Sequence, residues 1–176
     1  MQAPPPFEAK LCAPERLGER VRALPRPVVF TNGVFDLLHR GHVTYLARAR
    51  ALGASLLVAL NSDASARRLG KGAERPLNAL ADRAALVAAL GDVDLVTWFD
   101  DDTPLALIRA VRPEVLVKGG DWRVEDIVGG DEVRGWGGAV RAIPFEHQRS
   151  TTDLVERIRH AAEARRGGAS GRPSRE

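Results

Sequence analysis

The chain holds a single cysteine, a single methionine and a single tyrosine among its 176 residues. One thiol, Cys12, excludes an internal disulfide and any cysteine-built metal cluster, and reads as an ordinary side chain. No apolar run approaches the roughly 20 residues that a membrane span requires. The first residues, Met1 to Glu8, contain three consecutive prolines and lack the charged flank and apolar stretch of a signal peptide. A cytoplasmic protein is therefore expected. A charge surplus is also missing from the body of the chain. The net charge is +3, but residues 165–176 carry Arg165, Arg166, Arg172 and Arg175 against Glu176 alone, which accounts for all of it. A neutral body with a basic tail is not the electrostatic footprint of a nucleic-acid-binding domain. Neither nucleic acid nor a membrane is an expected partner.

What is present is a 44% hydrophobic content, enough at this length for one packed core. Composition divides the chain into a flexible proline-rich arm over 1–12, a single domain over 13–166 and a disordered, glycine-rich basic tail over 167–176. Leu17, Val21 and Leu24 fall at helical spacing, which predicts a short leading helix. Continuous apolar or β-branched runs at Val28 to Thr31, Leu56 to Leu60, Leu95 to Phe99, Val115 to Val117 and Ala139 to Pro144 predict five buried strands. Between them, helical patterns run from Gly41 to Leu52 and over 79–90, with Asn78 as N-cap. A third runs from Thr103, an N-cap followed by Pro104, to about Arg112. Residues 61–78 read as a polar loop, and 121–138 as irregular with one short helix. Ser150 and Asp153 open a last helix to about Arg165. Apolar strands alternating with amphipathic helices indicate an α/β fold, a doubly wound Rossmann-like five-stranded parallel sheet.

Such a sheet binds ligands beyond the carboxyl ends of its strands, where the strand order reverses. The common orders put that crevice between strand one and a later neighbour, here strand four. Strand one runs into Thr31, Asn32, Gly33, Val34, Phe35, Asp36, His39, Gly41 and His42; strand four runs into Lys118, Gly119, Gly120 and Asp121. Strand five is followed by Ser150, Thr151 and Thr152. Gly33 permits a tight turn whose amides can approach an anion. His39 and His42 frame Gly41 at a helix start, where the dipole favours negative charge. Ser150, Thr151 and Thr152 offer hydroxyls and unpaired N–H groups to a second phosphate. Other readings stand beside these. His39 and His42 with Asp36 could ligate a metal, Lys118-Gly119-Gly120 could be a plain turn, and Ser150 to Thr152 could be only a cap. Trp98, Trp122 and Trp136 could be packing residues.

The run from Thr31 to His42 resembles the T-x-G-x-F-D-x-x-H-x-G-H signature of the cytidylyltransferase-like nucleotidyltransferases. Further stretches are similar to the D-glycero-β-D-manno-heptose 1-phosphate adenylyltransferases. They are Asn61-Ser62-Asp63, Arg75 to Asn78, Asp82-Arg83, Val117 to Asp121, and Phe145-Glu146 with Ser150-Thr151-Thr152. The resemblance covers about residues 10–160 and implies the stand-alone form of an enzyme that makes ADP-heptose and pyrophosphate for the lipopolysaccharide inner core. It implies that His39 and His42 stabilise charge on the α-phosphate and that the amides around Val34 and Phe35 hold phosphate oxygens. Asp36 would brace this loop, Asp121 and the glycines before it would contact the nucleoside, and Ser150 to Thr152 would hold pyrophosphate. Lys71, Arg83 and Lys118 would pair with phosphates, Lys71 counting with the histidines as catalytic. Asn61, Asp63, Arg75 and Arg83 are candidates to bind the sugar phosphate.

Related glycerol-phosphate cytidylyltransferases carry an arginine five residues before the Ser-Thr-Thr run, where this chain has Phe145. Two rival functions remain at this point: a polyol-phosphate cytidylyltransferase, and a nucleotide-binding regulatory domain without chemistry. The expected partners are ATP, a sugar 1-phosphate and, by resemblance, a second copy of the chain in a dimer. Mg²⁺ is expected with ATP, held by the nucleotide and not by a protein cluster.

Overall fold

The computed structural model describes residues 3–70, 75–146 and 160. Five strands, β1 (Val28–Gly33), β2 (Ser55–Asn61), β3 (Leu95–Phe99), β4 (Val115–Gly119) and β5 (Ala139–Ile143), form one sheet in the order β3-β2-β1-β4-β5. All four pairings are parallel. Thr31, on the central strand, lies between Val58 of β2 and Val117 of β4. The order reverses between β1 and β4, the position expected from the sequence.

Successive strand residues face opposite sides, so a strand covered on both faces is apolar throughout. Val28, Phe30, Leu57 and Ala59 join one core with Leu17, Val21, Ile108, Val111 and Val133. Those partners come from α1 (Leu17–Arg22), α5 (Leu105–Val111) and α6 (Gly130–Gly135). Val29, Leu56, Val58 and Leu60 join a second core with Tyr45, Leu46, Ala49, Ala84 and Val87. These belong to α2 (Arg40–Arg50) and α4 (Leu80–Ala88) on the other face. The sheet is doubly wound. No helix among the described residues is long and apolar enough to cross a membrane.

Several local expectations need correction. The loop expected after β2 contains a helix, α3 (Asp63–Arg68), capped by Ser62, whose side chain accepts from the Ser65 amide. With only two buried residues, Ser65 and Ala66, it shows too little apolar periodicity to be read from sequence. Asn78 does not cap α4. Ala79 holds that position without a side-chain cap, while Asn78 Nδ2 donates to the Asp36 carbonyl at 2.8 Å. Thr103 does not cap α5 either; the helix starts after Pro104, with no side-chain cap. The 121–138 stretch holds a 3-10 turn at Val124–Asp126 as well as α6.

Residues 6–12, expected within a flexible arm, lie along the outer edge of the sheet. Pro6–Lys10 is a 3-10 helix, Leu11 bridges to Val96, and the Cys12 amide donates to the Val96 carbonyl at 2.9 Å. Phe7 and Leu11 pack on the second core, and Cys12 is 3% exposed, so apolar burial holds the segment and covers the open edge of β3. Burial also raises the Cys12 thiol pKa. Of the helix expected from Ser150 only His160, which is helical, is among the described residues, and the basic tail lies outside them.

Candidate functional site

The crevice between β1 and β4 is pinned from below by the one tyrosine. Tyr45 is buried in α2; its Oη shares a 2.5 Å hydrogen bond with Thr31 Oγ1 and donates to the Val117 carbonyl at 3.4 Å. It therefore ties the helix that carries the histidines to both strands of the crevice. Nothing in the motif marks Tyr45, but it follows His42 by three residues, the spacing that puts two side chains on one helix face. No pattern in the sequence singles it out as a site residue.

Beyond β1 the chain turns sharply. Gly33 has no room for a side chain, since a β-carbon there would stand 2.9 Å from the Phe35 ring. Phe35 takes a left-handed backbone conformation with φ 49°, uncommon for a bulky residue and costly enough to need support. The support comes from Asp36. Its buried carboxylate accepts from the amides of Leu77 and Asn78 at 2.9 Å each and from Arg75 Nη1 at 2.9 Å. Burial alone would raise this carboxyl, but the two amides and the arginine together outweigh it and hold Asp36 below the ordinary aspartate range. Asp36 thus ties the turn to the 75–78 segment.

The next element, α2, begins at His39, and its imidazole is the cap: Nδ1 accepts from the Gly41 amide at 3.1 Å. With Nδ1 accepting, a neutral His39 carries its proton on Nε2, leaving a donor for a ligand. Burial lowers the His39 pKa, so the neutral form prevails at neutral pH. Its ring stacks on His42 with centroids 3.9 Å apart and planes 23° from parallel. Phe35 backs His42 from 5.2 Å. Gly41 is buried between the two, so the first-turn amides of α2 and both imidazoles gather at one helix N-terminus. The dipole of α2 favours negative charge at that end.

Across the crevice, Lys118 Nζ donates to Asn32 Oδ1 at 3.2 Å and lies 5.7 Å from the centre of the Trp122 ring. Gly119 is glycine because a β-carbon would stand 2.8 Å from Phe145 and 3.1 Å from Tyr45. Gly120 turns the chain at φ 110°. Asp121 is exposed beyond it.

A family model described as cytidylyltransferase-like matches residues 30–157. The chain belongs to the cytidylyltransferase-like family. The D-beta-D-heptose 1-phosphate adenylyltransferase of Bordetella bronchiseptica is 57% identical over 155 residues, 87% of this chain and 96% of that protein. The bifunctional protein HldE of Magnetococcus marinus is 56% identical over 139 residues, 79% of this chain and 28% of that protein. This chain therefore spans less than a third of the bifunctional relative. Among solved structures, the lipopolysaccharide core biosynthesis protein from Thermoplasma volcanium has a TM-score of 0.57 at 27% identity, over 69% of this chain and 98% of that one. Pantoate-beta-alanine ligase from Francisella tularensis, with a TM-score of 0.55 at 14% identity over 80% of this chain and 68% of that one, shares the fold alone.

In this cytidylyltransferase-like chain, the residues expected to bind the sugar phosphate are placed differently. Arg83 is 0% exposed and donates to the carbonyls of Asn78, Val34 and Asn61 and to Asp63 Oδ1, at 2.6–3.0 Å. It has no reach to a phosphate; it ties the turn after β1 to the ends of β2 and the 75–78 segment. Asn61 is buried and donates to Ser65 Oγ, Asp63 is paired with Arg83, and Arg75 is paired with Asp36. These four residues brace the site from behind. Lys71, Ser150, Thr151 and Thr152 lie outside the described residues. Among the described residues no three His, Cys, Asp or Glu side chains converge on a metal position, and the Asp36 carboxylate is already taken by its three donors.

Proposed function

We propose that the chain transfers AMP from ATP to D-glycero-β-D-manno-heptose 1-phosphate, giving ADP-heptose and pyrophosphate. The observation that carries the chemistry is the stacked His39–His42 pair at the N-terminus of α2, beside the β1–β4 crevice. The acceptor is supported by the 57% identity to a protein named for that activity.

The sugar 1-phosphate is anionic at neutral pH and needs no base to activate it. One of its oxygens forms a bond to the α-phosphorus of ATP. The bond from that phosphorus to the bridging oxygen breaks, and the electron pair leaves with pyrophosphate. Charge builds on the non-bridging α-phosphate oxygens as the phosphorus becomes five-coordinate. His39 Nε2 and His42 would be the donors for that charge, at the positive end of the α2 dipole. They are already oriented by the Gly41 cap, the ring stack and the Tyr45 pin, so little reorganisation accompanies the step. The amides of Val34 and Phe35, held by Asp36, would take the β- and γ-phosphates, with Asn32 and Lys118 at the opposite wall. Gly119, Gly120 and Asp121 would meet the nucleoside, and Lys71 with Ser150, Thr151 and Thr152 would complete the phosphate contacts. Mg²⁺ would neutralise part of the triphosphate charge. The described residues do not form a cage that fits the ion, so it would arrive on the nucleotide.

The test is to incubate the chain with equal ATP and CTP, Mg²⁺ and a panel of sugar 1-phosphates, following pyrophosphate and resolving products by mass. ADP-heptose is the expected product. Predominant CDP-sugar would overturn the base, and turnover of glucose or mannose 1-phosphate without heptose would overturn the acceptor. ATP binding with no turnover of any acceptor would leave a regulatory nucleotide-binding domain.

A further inference from the structure

At the amino end of the sheet, away from the crevice, the chain forms a cavity of about 290 Å³. It is lined by Arg26 just before β1, Arg112 and Glu114 just before β4, and Trp136, Gly137 and Gly138 just before β5. The one carboxylate of this lining is already committed. Glu114 Oε1 accepts from Arg26 Nε at 2.5 Å, and Oε2 accepts from the Val28 amide at 2.7 Å. Arg26 Nη2 donates to the Arg112 carbonyl at 3.1 Å. Arg112 itself has no carboxylate partner among the described residues; its guanidinium lies 5.2 Å from the centre of the Trp136 ring. Trp136 is fixed in turn, with Nε1 donating to the Pro113 carbonyl at 3.0 Å. The lining therefore holds one internal ion pair and one further guanidinium, over an aromatic face. Its backbone is strained as well. Arg112 is left-handed at φ 48°, and the other non-glycine residue with positive φ among the described residues is Phe35, at the turn after β1. The left-handed residue that ends a helix is usually glycine. An arginine there carries a backbone cost larger than an exposed cation–π contact returns. Strain of this kind gathers at ligand sites.

We propose that this cavity is a second ligand site, which takes a small phosphate monoester carrying a flat group. The phosphate would pair with Arg112 and with Arg26 Nη1, which neither Glu114 nor the Arg112 carbonyl takes. A phosphate monoester carries close to two negative charges at neutral pH, and a guanidinium binds its oxygens two at a time. The flat group would lie against Trp136 and the Gly137–Gly138 backbone. A β-carbon on Gly137 would meet nothing within 4 Å, so that side of the cavity is open. The site stands at the amino ends of β1, β4 and β5, and the transfer chemistry is at the carboxyl ends, so the two readings are independent.

The experiment follows the indole N–H signals of the full chain by NMR. There are three tryptophans, and Trp136→Phe identifies the signal from this cavity. The probes are phenyl phosphate, which joins the anion to a ring, inorganic phosphate, which lacks the ring, and benzoate, which replaces the phosphate by a carboxylate. Phenyl phosphate should shift the Trp136 signal saturably, with an affinity about fivefold or more above that of inorganic phosphate. Arg112→Asn, whose side chain tolerates the left-handed backbone, should weaken that binding about tenfold or more. Absence of a saturable Trp136 shift up to about 20 mM phenyl phosphate would overturn the site. Unchanged affinity in Arg112→Asn would overturn the role of the guanidinium and with it the proposal. Inorganic phosphate binding as tightly as phenyl phosphate would overturn the flat group, and benzoate binding as tightly would overturn the phosphate. Loss of turnover with every acceptor would sink the function proposed above and leave this test intact, because the readout is binding at Trp136.

Discussion

The two sides of the crevice are built in opposite ways. On the β1 side the two buried charges are answered, Asp36 by two amides and Arg75, Arg83 by three carbonyls and Asp63, and the neutral His39 ring accepts from the Gly41 amide. On the β4 side the large described groups, Trp122 and Phe145, are apolar and half-exposed, and Lys118 donates to Asn32. The difference follows from what each side would meet. Transition-state charge is stabilised only by donors whose positions are settled in advance, and a strained turn with Phe35 at φ 49° needs a rigid support.

The largest effect should come from the brace. Arg83→Met removes a fully buried cation and leaves Asp63 and three carbonyls without their donor. Loss of one partner of a buried pair typically costs about 3–5 kcal/mol, to be read as a lower midpoint in urea unfolding. A variant within about 1 kcal/mol of wild type would show that the β1 side is not held as described.

The second prediction separates support from chemistry within that side. His42→Ala should lower kcat by about 10²–10³, or ~2.7–4 kcal/mol, with a much smaller change in ATP affinity. At position 39 the ring has two duties. His39→Ala should lose both the cap, about 1 kcal/mol of stability, and the Nε2 donor. His39→Asn offers an amide oxygen where Nδ1 accepts but has no group at Nε2. It should melt like wild type while its kcat falls as far as that of the alanine variant. A near-normal kcat in His39→Asn would take His39 out of the chemistry and leave it a cap.

The smallest effect is the pH dependence carried by Asp36. Its folded pKa is depressed below the ordinary aspartate value of 3.8, so its contribution to stability is present above that value and is lost as pH falls through the folded pKa. Asp36→Asn should cost about 1–3 kcal/mol at neutral pH, since an amide cannot accept from all three donors. The gap between the variant and wild type should close as pH falls below 3.8. A gap of constant size across that range would mean that the carboxylate's charge is not what holds the 75–78 segment.

Much of this protein was readable from local pattern. The five apolar runs became the five strands, the switch point fell between β1 and β4, and His39 and His42 lie together at the start of α2. Such features depend on periods of two and 3.6 residues and on a twelve-residue motif, all contained in short stretches of chain. The tertiary structure decided the roles of the polar residues outside the motif. Arg83 reads as a phosphate ligand until its partners are known, and the partner that removes it, the Val34 carbonyl, lies 49 residues away. Asn78 reads as a cap until Asp36, 42 residues before it, takes its amide. The arm at 6–12 reads as loose until the open edge of β3 is found beside it. A cation's chemistry depends on whether water or protein oxygen surrounds it. That is settled by which distant segments the fold brings together, and no local pattern in the sequence records it.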